Sequence, residues 1–339
     1  MSTYTRWVRQ AHRAVLPAIS SWVFGRSFVA ALATALTVLA LMPGGEAAAQ
    51  RANAAQAAAR AALVARIAQV PGAQVAIAVY DLRTGRRLDI DGDTVFHAAS
   101  TMKVPVLFAL FREFERGRIR SNATMLLENR FASIVDGSPY ALNPSDDSDS
   151  TVYAMIGTEV PLKMLASRMI THSSNLATNA LITRLDPVRI TALARGFGAT
   201  SMVVRRGVED NVAFRAGLNN TTTANDLVAL FTALERGAVA TGAGTREMLQ
   251  ILEAQAFNEQ IPAGLPPGTR IAHKTGAITA TWHDAGLVYR TARAPYAIAI
   301  LTRAIPEDAV ADRLIADCSR IVWDWLSTPE RRTRRAPRP

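Results

Sequence analysis

HAASTMKVPVLFAL, residues 97–110, passes from small polar residues into an apolar run at Val104, Leu107, Phe108 and Leu110 that continues to Phe111. This is the spacing of a helix that buries one face, so the stretch predicts a turn followed by a core helix. On its N-terminal side, AQVAIAVYD (Ala73–Asp81) is strand-like, LRTGR turns, and RLDID returns, which predicts a β-hairpin. Before the hairpin, Asn53–Val70 is alanine-rich with no breaker until Pro71, and predicts another helix.

Working outward to the C-terminal side, residues 119–221 read as mainly helical, interrupted by DGSPYALNPSDDSDS (Asp136–Ser150). The turn formers and like charges of that insert predict a solvated loop. Its cluster Asp146, Asp147 and Asp149 lacks the glycine and distal glutamate of a calcium loop. After Thr222, ANDLVALFTALERG and TREMLQILEAQAF predict helices, and RIAHKTG predicts a strand. HDAGLVYRTARAPYAIAILTRAI predicts a hairpin of two longer strands, and DAVADRLIADCSRIVWDWLS a closing amphipathic helix. Strands near both ends of the body with helices between them imply an α/β (α+β) fold: one antiparallel sheet flanked by helices, with an inserted all-helical lobe and a cleft between the two. The expected α/β part covers about residues 50–118 and 222–328, and the lobe about 119–221.

At 339 residues and 49% hydrophobic, the chain can bury a sizeable core. The net charge of +10 is concentrated at the ends, with +3 over residues 1–49 and +4 over residues 330–339, which leaves +3 for the body. A body so nearly balanced argues against a nucleic-acid groove. The arginine-bearing lead, the apolar run FVAALATALTVLALM (Phe28–Met42) and the alanines Ala47, Ala48 and Ala49 predict a secretory signal over residues 1–49, cleaved near Ala49. An uncleaved membrane anchor at Phe28–Met42 is the alternative. Either makes the body exported, periplasmic or secreted. Cys318 is the only cysteine, so no internal disulfide can form, and its setting is the buried stripe of a helix. Residues 329–339 are basic and proline-rich and read as a disordered, solubilising tail.

Of 38 basic residues only Lys103, Lys163 and Lys274 are lysines. Arginine holds its charge at any accessible pH, whereas a lysine can lose its proton when buried or placed near another cation. Ser100 stands three residues before Lys103, within reach on a helix face, and close to helix N-terminal N–H groups that stabilise an oxyanion. Capping is the ordinary use of such a serine. Pro105 sits awkwardly here, because in a second helical turn it would leave a carbonyl near Thr101 unpaired. In MITHSSNLATNALI (residues 169–182) the polar break Ser173-Ser174-Asn175 offers a second hydroxyl and a side-chain amide, or simply a helix-to-helix turn. HKTGA (residues 273–277) ends a strand with Lys274 and Thr275, able to hold a carboxylate, and with Gly276, which lets a substrate backbone lie close.

Ser-x-x-Lys, Ser-x-Asn in a helical lobe and Lys-Thr-Gly on a strand, in that order, resemble the class A β-lactamase-like serine hydrolases, within the superfamily of serine β-lactamases and penicillin-binding proteins. The resemblance covers about Ala73–Ser327. It implies a β-lactamase/DD-peptidase-like fold and an enzyme that opens β-lactam rings through a serine acyl-enzyme, an activity that confers antibiotic resistance. It further implies Ser100 as nucleophile, Lys103 as its activating partner, Ser173 as proton relay to the leaving nitrogen, and Asn175 as ligand of the substrate amide. Lys274 and Thr275, with Gly276 beside them, would hold the substrate carboxylate, and the N–H groups of Ser100 and Ala277 would form the oxyanion hole. Asn179 would support the loop beside the site. No cofactor or metal is expected, and the partner is a small-molecule β-lactam or a peptidoglycan stem peptide, met by a monomer. Two departures stand out. Ser174 replaces the usual aspartate, and in VRRGVEDNVAFRAGLNNTTT (Val204–Thr223) Glu209 is followed four residues later by Ala213, where the family's Glu-x-x-x-Asn has asparagine. Glu209 or Asp210 is the candidate deacylating base, against a surface salt bridge to Arg205 or Arg206. A peptidoglycan D-Ala-D-Ala peptidase, or a penicillin-binding sensor that stays acylated, are the alternatives.

Overall fold

The computed structural model describes residues 44–290 and 295–327. The apolar run Phe28–Met42 and the basic tail lie outside them. Residues 55–329 form one compact unit.

Helix α1 (Gly44–Ile67) begins directly after Pro43, earlier than the composition predicts, and runs through Ala49. The hairpin follows as β1 (Gln74–Asp81) and β2 (Arg87–Ile90), and then comes α2 (Lys103–Glu115). The segment 119–221 holds α3 (Leu162–Thr171), α4 (Asn175–Leu185), α5 (Pro187–Gly196) and the short α6 (Asn211–Arg215). Helices α7 (Ala224–Glu235) and α8 (Gly242–Glu253) lead to strands β3 (Ile271–Ile278), β4 (Thr281–Val288) and β5 (Tyr296–Arg303), and α9 (Asp308–Ser327) closes the body. The sheet order is β2-β1-β5-β4-β3, and every pairing in it is antiparallel. The first and last strands in sequence therefore meet at its centre, with Gln74 opposite Arg303.

Period-2 alternation divides the sheet residues between two cores. Val75, Ile77, Val79, Ile298 and Ile300 pack with Leu63 of α1 and with Leu314, Ile315, Cys318 and Val322 of α9. The opposite face carries the smaller Ala76, Ala78, Ala285, Ala297 and Ala299, packed with α2, α7 and the helical segment. Each fully buried leucine or isoleucine contributes about 1.5–3 kcal/mol, so both faces stabilise the sheet strongly, and small residues on one of them let helices approach closely. Cys318 is fully buried, and burial pushes its thiol up to about 12, which keeps it inert. Among the described residues no helix is long and apolar enough to cross a membrane.

Candidate active site

Ser100 lies in a 3-10 turn, Ala99–Met102, that runs straight into α2 at Lys103. Neither the turn nor the helix takes a side-chain cap. The Ser100 hydroxyl therefore does not do what a serine ahead of a helix ordinarily does. This start also removes the difficulty with Pro105. The helix begins at Lys103, so the proline falls in its first turn, where a missing N–H costs nothing, and the Thr101 carbonyl receives the Lys103 N–H. Ala99 is held at φ +45°, and its N–H donates to His97 Nδ1 at 3.0 Å. The His97 carbonyl lies 2.8 Å from His283 Nε2. Burial pushes both imidazoles down to about 4, so they brace the turn as neutral groups.

Strand β3 forms the edge of the sheet against this turn. A Cβ on Gly276 would come within 3.0 Å of Ser100 N and 3.1 Å of Thr101 N. The glycine of the Lys-Thr-Gly motif is thus required by the approach of the Ser100 and Thr101 backbone, whereas the sequence alone suggests a close approach of substrate. Thr275 is partly exposed and Ala277 is exposed, while Lys274 is fully buried and donates to the Thr275 carbonyl at 2.9 Å. Burial, reinforced by the Lys103 charge, drives the Lys274 pKa well below its ordinary value, and Asp284 opposes the shift.

Lys103 is fully buried, and its Nζ donates to Ser173 O at 2.6 Å, Asn175 Oδ1 at 2.9 Å and Ser173 Oγ at 3.0 Å. All three donors of an ammonium therefore have acceptors. Even so, burial lowers its pKa to about 7, against the charges of Asp147 and Glu209, which raise it. The Asn175 amide spans the site, because its Nδ2 donates to Glu209 Oε1 at 2.7 Å. Burial raises the Glu209 pKa, the hydrogen bond from Asn175 lowers it, and the neighbouring charges of Asp147 and Asp146 raise it further. Glu209 thus bonds to Asn175 rather than to Arg205 or Arg206.

Asp210 is occupied elsewhere. It caps α6 through Ala213 N and accepts from Ser133 Oγ at 2.9 Å and Ile134 N at 3.0 Å. These bonds and Arg206 hold its pKa below the usual range even though burial, the largest influence, raises it. Asn179 clamps the loop before Glu209, accepting from Val208 N at 2.7 Å and donating to Val208 O at 3.0 Å. Asn220 clamps it again, accepting from Arg205 N at 2.7 Å. Glu209 itself stands at φ +62° and Ser173 at φ +58°. With Ala99, three of the seven non-glycine residues at positive φ among the described residues therefore gather at this site, the pattern of strain held in place by surrounding structure. A cavity of about 210 Å³ lined by Ser133, Tyr140, Asn143, Asp146 and Glu209 opens on the Glu209 side.

The insert departs from its expected form. Asp147 and Asp149 are only 9% and 3% exposed, so this end of Asp136–Ser150 is not a solvated loop. Asp149 caps a 3-10 turn and pairs with Arg168, while Asp147 reaches the first residues of α4. Both carboxylates find N–H donors that offset their burial. Ser174, in place of the usual aspartate, is fully buried and caps α4 by accepting from Ala177 N at 3.2 Å. Asp147, His97 and Asn220 are neighbours of the candidate site that sequence reasoning missed. For Asp147 a signal existed, since Ser174 brings no charge to a helix start that usually has one. Among the described residues no group of three or more metal-ligating side chains occurs.

The profile of the beta-lactamase enzyme family matches residues 56–326. A beta-lactamase of Streptomyces albus G is 24% identical over 269 residues, covering 78% of this chain and 83% of that protein. One of Streptomyces fradiae is 27% identical over 305 residues, covering 84% and 94%. Among solved structures, PBP-A superposes with a TM-score of 0.68 at 26% identity, covering 79% of this chain and 95% of PBP-A. A variant of the last common ancestor of Gram-negative bacteria class A beta-lactamases gives a TM-score of 0.66 at 27% identity, covering 78% and 97%. The fold is that of the β-lactamases and DD-peptidases, and with most of its length matched the chain belongs to the beta-lactamase enzyme family.

Proposed function

We propose that the protein is an exported serine hydrolase that opens β-lactam rings through an acyl-enzyme on Ser100. The observation that carries this reading is the buried Lys103, poised near neutrality and joined through Asn175 to Glu209, one turn after a serine hydroxyl that caps nothing. Neutral Lys103 takes the Ser100 proton as Oγ bonds to the lactam carbonyl carbon, with the N–H groups of Ser100 and Ala277 on the oxyanion. The C–N bond then breaks. Ser173 Oγ gives its proton to the leaving nitrogen and regains one from Lys103, 3.0 Å away. Lys274 and Thr275 hold the substrate carboxylate, and Asn175 the substrate amide. Glu209 then removes a proton from water, the hydroxide adds to the ester carbon, and Ser100 leaves with a proton. The sheet and terminal helices form one part of a catalytic domain over residues 50–328, with residues 119–221 as its inserted lobe. Residues 1–49 are a cleaved signal, and the protein acts as a monomer.

A D-Ala-D-Ala peptidase is the second reading, favoured by Ala213 at the place of the asparagine in the family's Glu-x-x-x-Asn and by the likeness to PBP-A, one mutant of which is solved as an acyl-enzyme with penicillin G. Chromogenic cephalosporin turnover, followed alongside intact-mass detection of an adduct, separates the two. Rapid turnover supports the β-lactamase. An adduct lasting hours supports the peptidase or a sensor, and the absence of both turnover and an adduct on Ser100 would remove every one of these readings.

A further inference from the structure

Asp147 lies in the polar insert, 28 residues before the turn it serves. Its carboxylate accepts from Asn175 N at 3.0 and 2.9 Å, Leu176 N at 3.0 Å, Asp149 N at 3.0 Å and Tyr153 OH at 3.1 Å. The first two donors are unpaired N–H groups that open α4, while Ser174 satisfies a third, Ala177 N. We infer that Asp147 is a positioning residue of the acyl-transfer site, its carboxylate fixing the start of α4 so that the Asn175 side chain spans Lys103 and Glu209, and supplying the charge that Ser174 does not. This rests on the serine acyl-transfer reading above.

Two consequences differ in kind. Holding the Asn175 backbone is mechanical and affects the rate alike at every pH. The charge is not, because it favours the protonated form of both Lys103 and Glu209. The other groups facing this pair are Lys274, a like charge toward Lys103, and Asp146, which faces Glu209. The Tyr153 hydroxyl, whose pKa is pushed above its ordinary value by burial and by Asp147, faces the Asp147 carboxylate, and the Arg168–Asp149 pair adjoins it.

The test is the pH profile of Ser100 acylation by benzylpenicillin, followed by rapid quench and intact mass in the full-length processed protein. In Asp147→Asn, which keeps an acceptor for the Asn175 and Leu176 N–H groups, the acid limb moves to lower pH by about 0.5–1. Adding Ser174→Asp returns a carboxylate to the same turn and moves the limb back. Tyr153→Phe removes a neutral donor while keeping the charge, should leave folding intact, and moves the limb upward. An acid limb that stays put in Asp147→Asn and Tyr153→Phe while the rate changes by one factor at all pH values would reduce Asp147 to a structural cap. If the parent is not acylated on Ser100, the underlying reading fails instead, and the two failures are distinct.

Discussion

Replacing Glu209 by glutamine separates the two steps of the proposed reaction. Glutamine keeps the length and the Oε1 acceptor, so the 2.7 Å hydrogen bond from Asn175 and the Lys103 cage can persist. What disappears is a base and a negative charge. Loss of a positioned general base costs about 10²–10⁴-fold, or roughly 3–5.5 kcal/mol, and it falls on deacylation. Turnover should drop by that factor while the Ser100 adduct accumulates. The charge acts on acylation in the opposite sense, because Glu209 is one of the two groups that raise the Lys103 pKa toward about 7. At pH 6 a group of that pKa is only ~10% neutral, so its base form is scarce in the parent. If the variant lowers the pKa toward 6, the neutral fraction approaches ~50%, and acylation at pH 6 should be up to about fivefold faster than in the parent relative to each plateau. Rapid-quench acylation between pH 5 and 8 reads the limb, and a chase into substrate-free buffer reads deacylation. Because the two groups interact, the limb belongs to the pair, and only its displacement assigns it. Acylation slowed as much as deacylation at every pH would make Glu209 the acylating base and refute the role given to Lys103.

Three further outcomes follow from the geometry. Lys103→Arg, forced into a fully buried cage and unable to shed its proton, should lose at least about 10²-fold in acylation, whereas Lys274→Arg retains part of the activity; equal losses in stopped-flow assays would contradict this division. Lys274→Met should raise neutral-pH stability by about 1–4 kcal/mol, read by urea unfolding, because it removes a fully buried lysine amine with a single hydrogen bond. The Lys274 pKa is lower folded than unfolded, so the unfolded chain binds more protons and parental stability rises with pH up to the ordinary lysine pKa of 10.5; a gain over the parent that does not shrink across that window would count against it. The mature N-terminus, read by mass spectrometry of exported protein, should lie near Ala49, and an intact Met1 would oppose processing.

Local periodicity made much of the fold legible. The apolar spacing of Val104–Phe111 marks α2, and the alternation in Val75–Val79 marks a strand with two buried faces. The motif residues were legible for the same reason, since Ser100 and Lys103, or Ser173 and Asn175, are related by short spacings. What escaped was set by contacts distant in sequence. Nothing in AQVAIAVYD says that β1 pairs with β5 at the sheet centre rather than at an edge. Nothing in HKTGA says that Gly276 must admit the backbone of Ser100. The acidic run around Asp147 reads as solvated because charge is usually exposed, and only the fold shows that helix N–H groups wait for it. The Pro105 problem vanished through a shift in the helix start that sequence patterns do not resolve.

The scarcity of lysine is informative only when burial is added to it. Lys163 pairs with Glu247 at 2.7 Å with side chains 37% and 35% exposed, a position where arginine would serve as well. Lys103 and Lys274 are fully buried, and neither has a carboxylate as hydrogen-bond acceptor. A buried arginine at either place would keep its charge in low dielectric and could neither give nor take a proton. The tasks proposed for the two lysines differ on the same physical ground. At Lys103, depression of the pKa to about 7 leaves a base available near neutrality. At Lys274, a site unwilling to hold a bare cation gains most from a ligand that brings a negative charge.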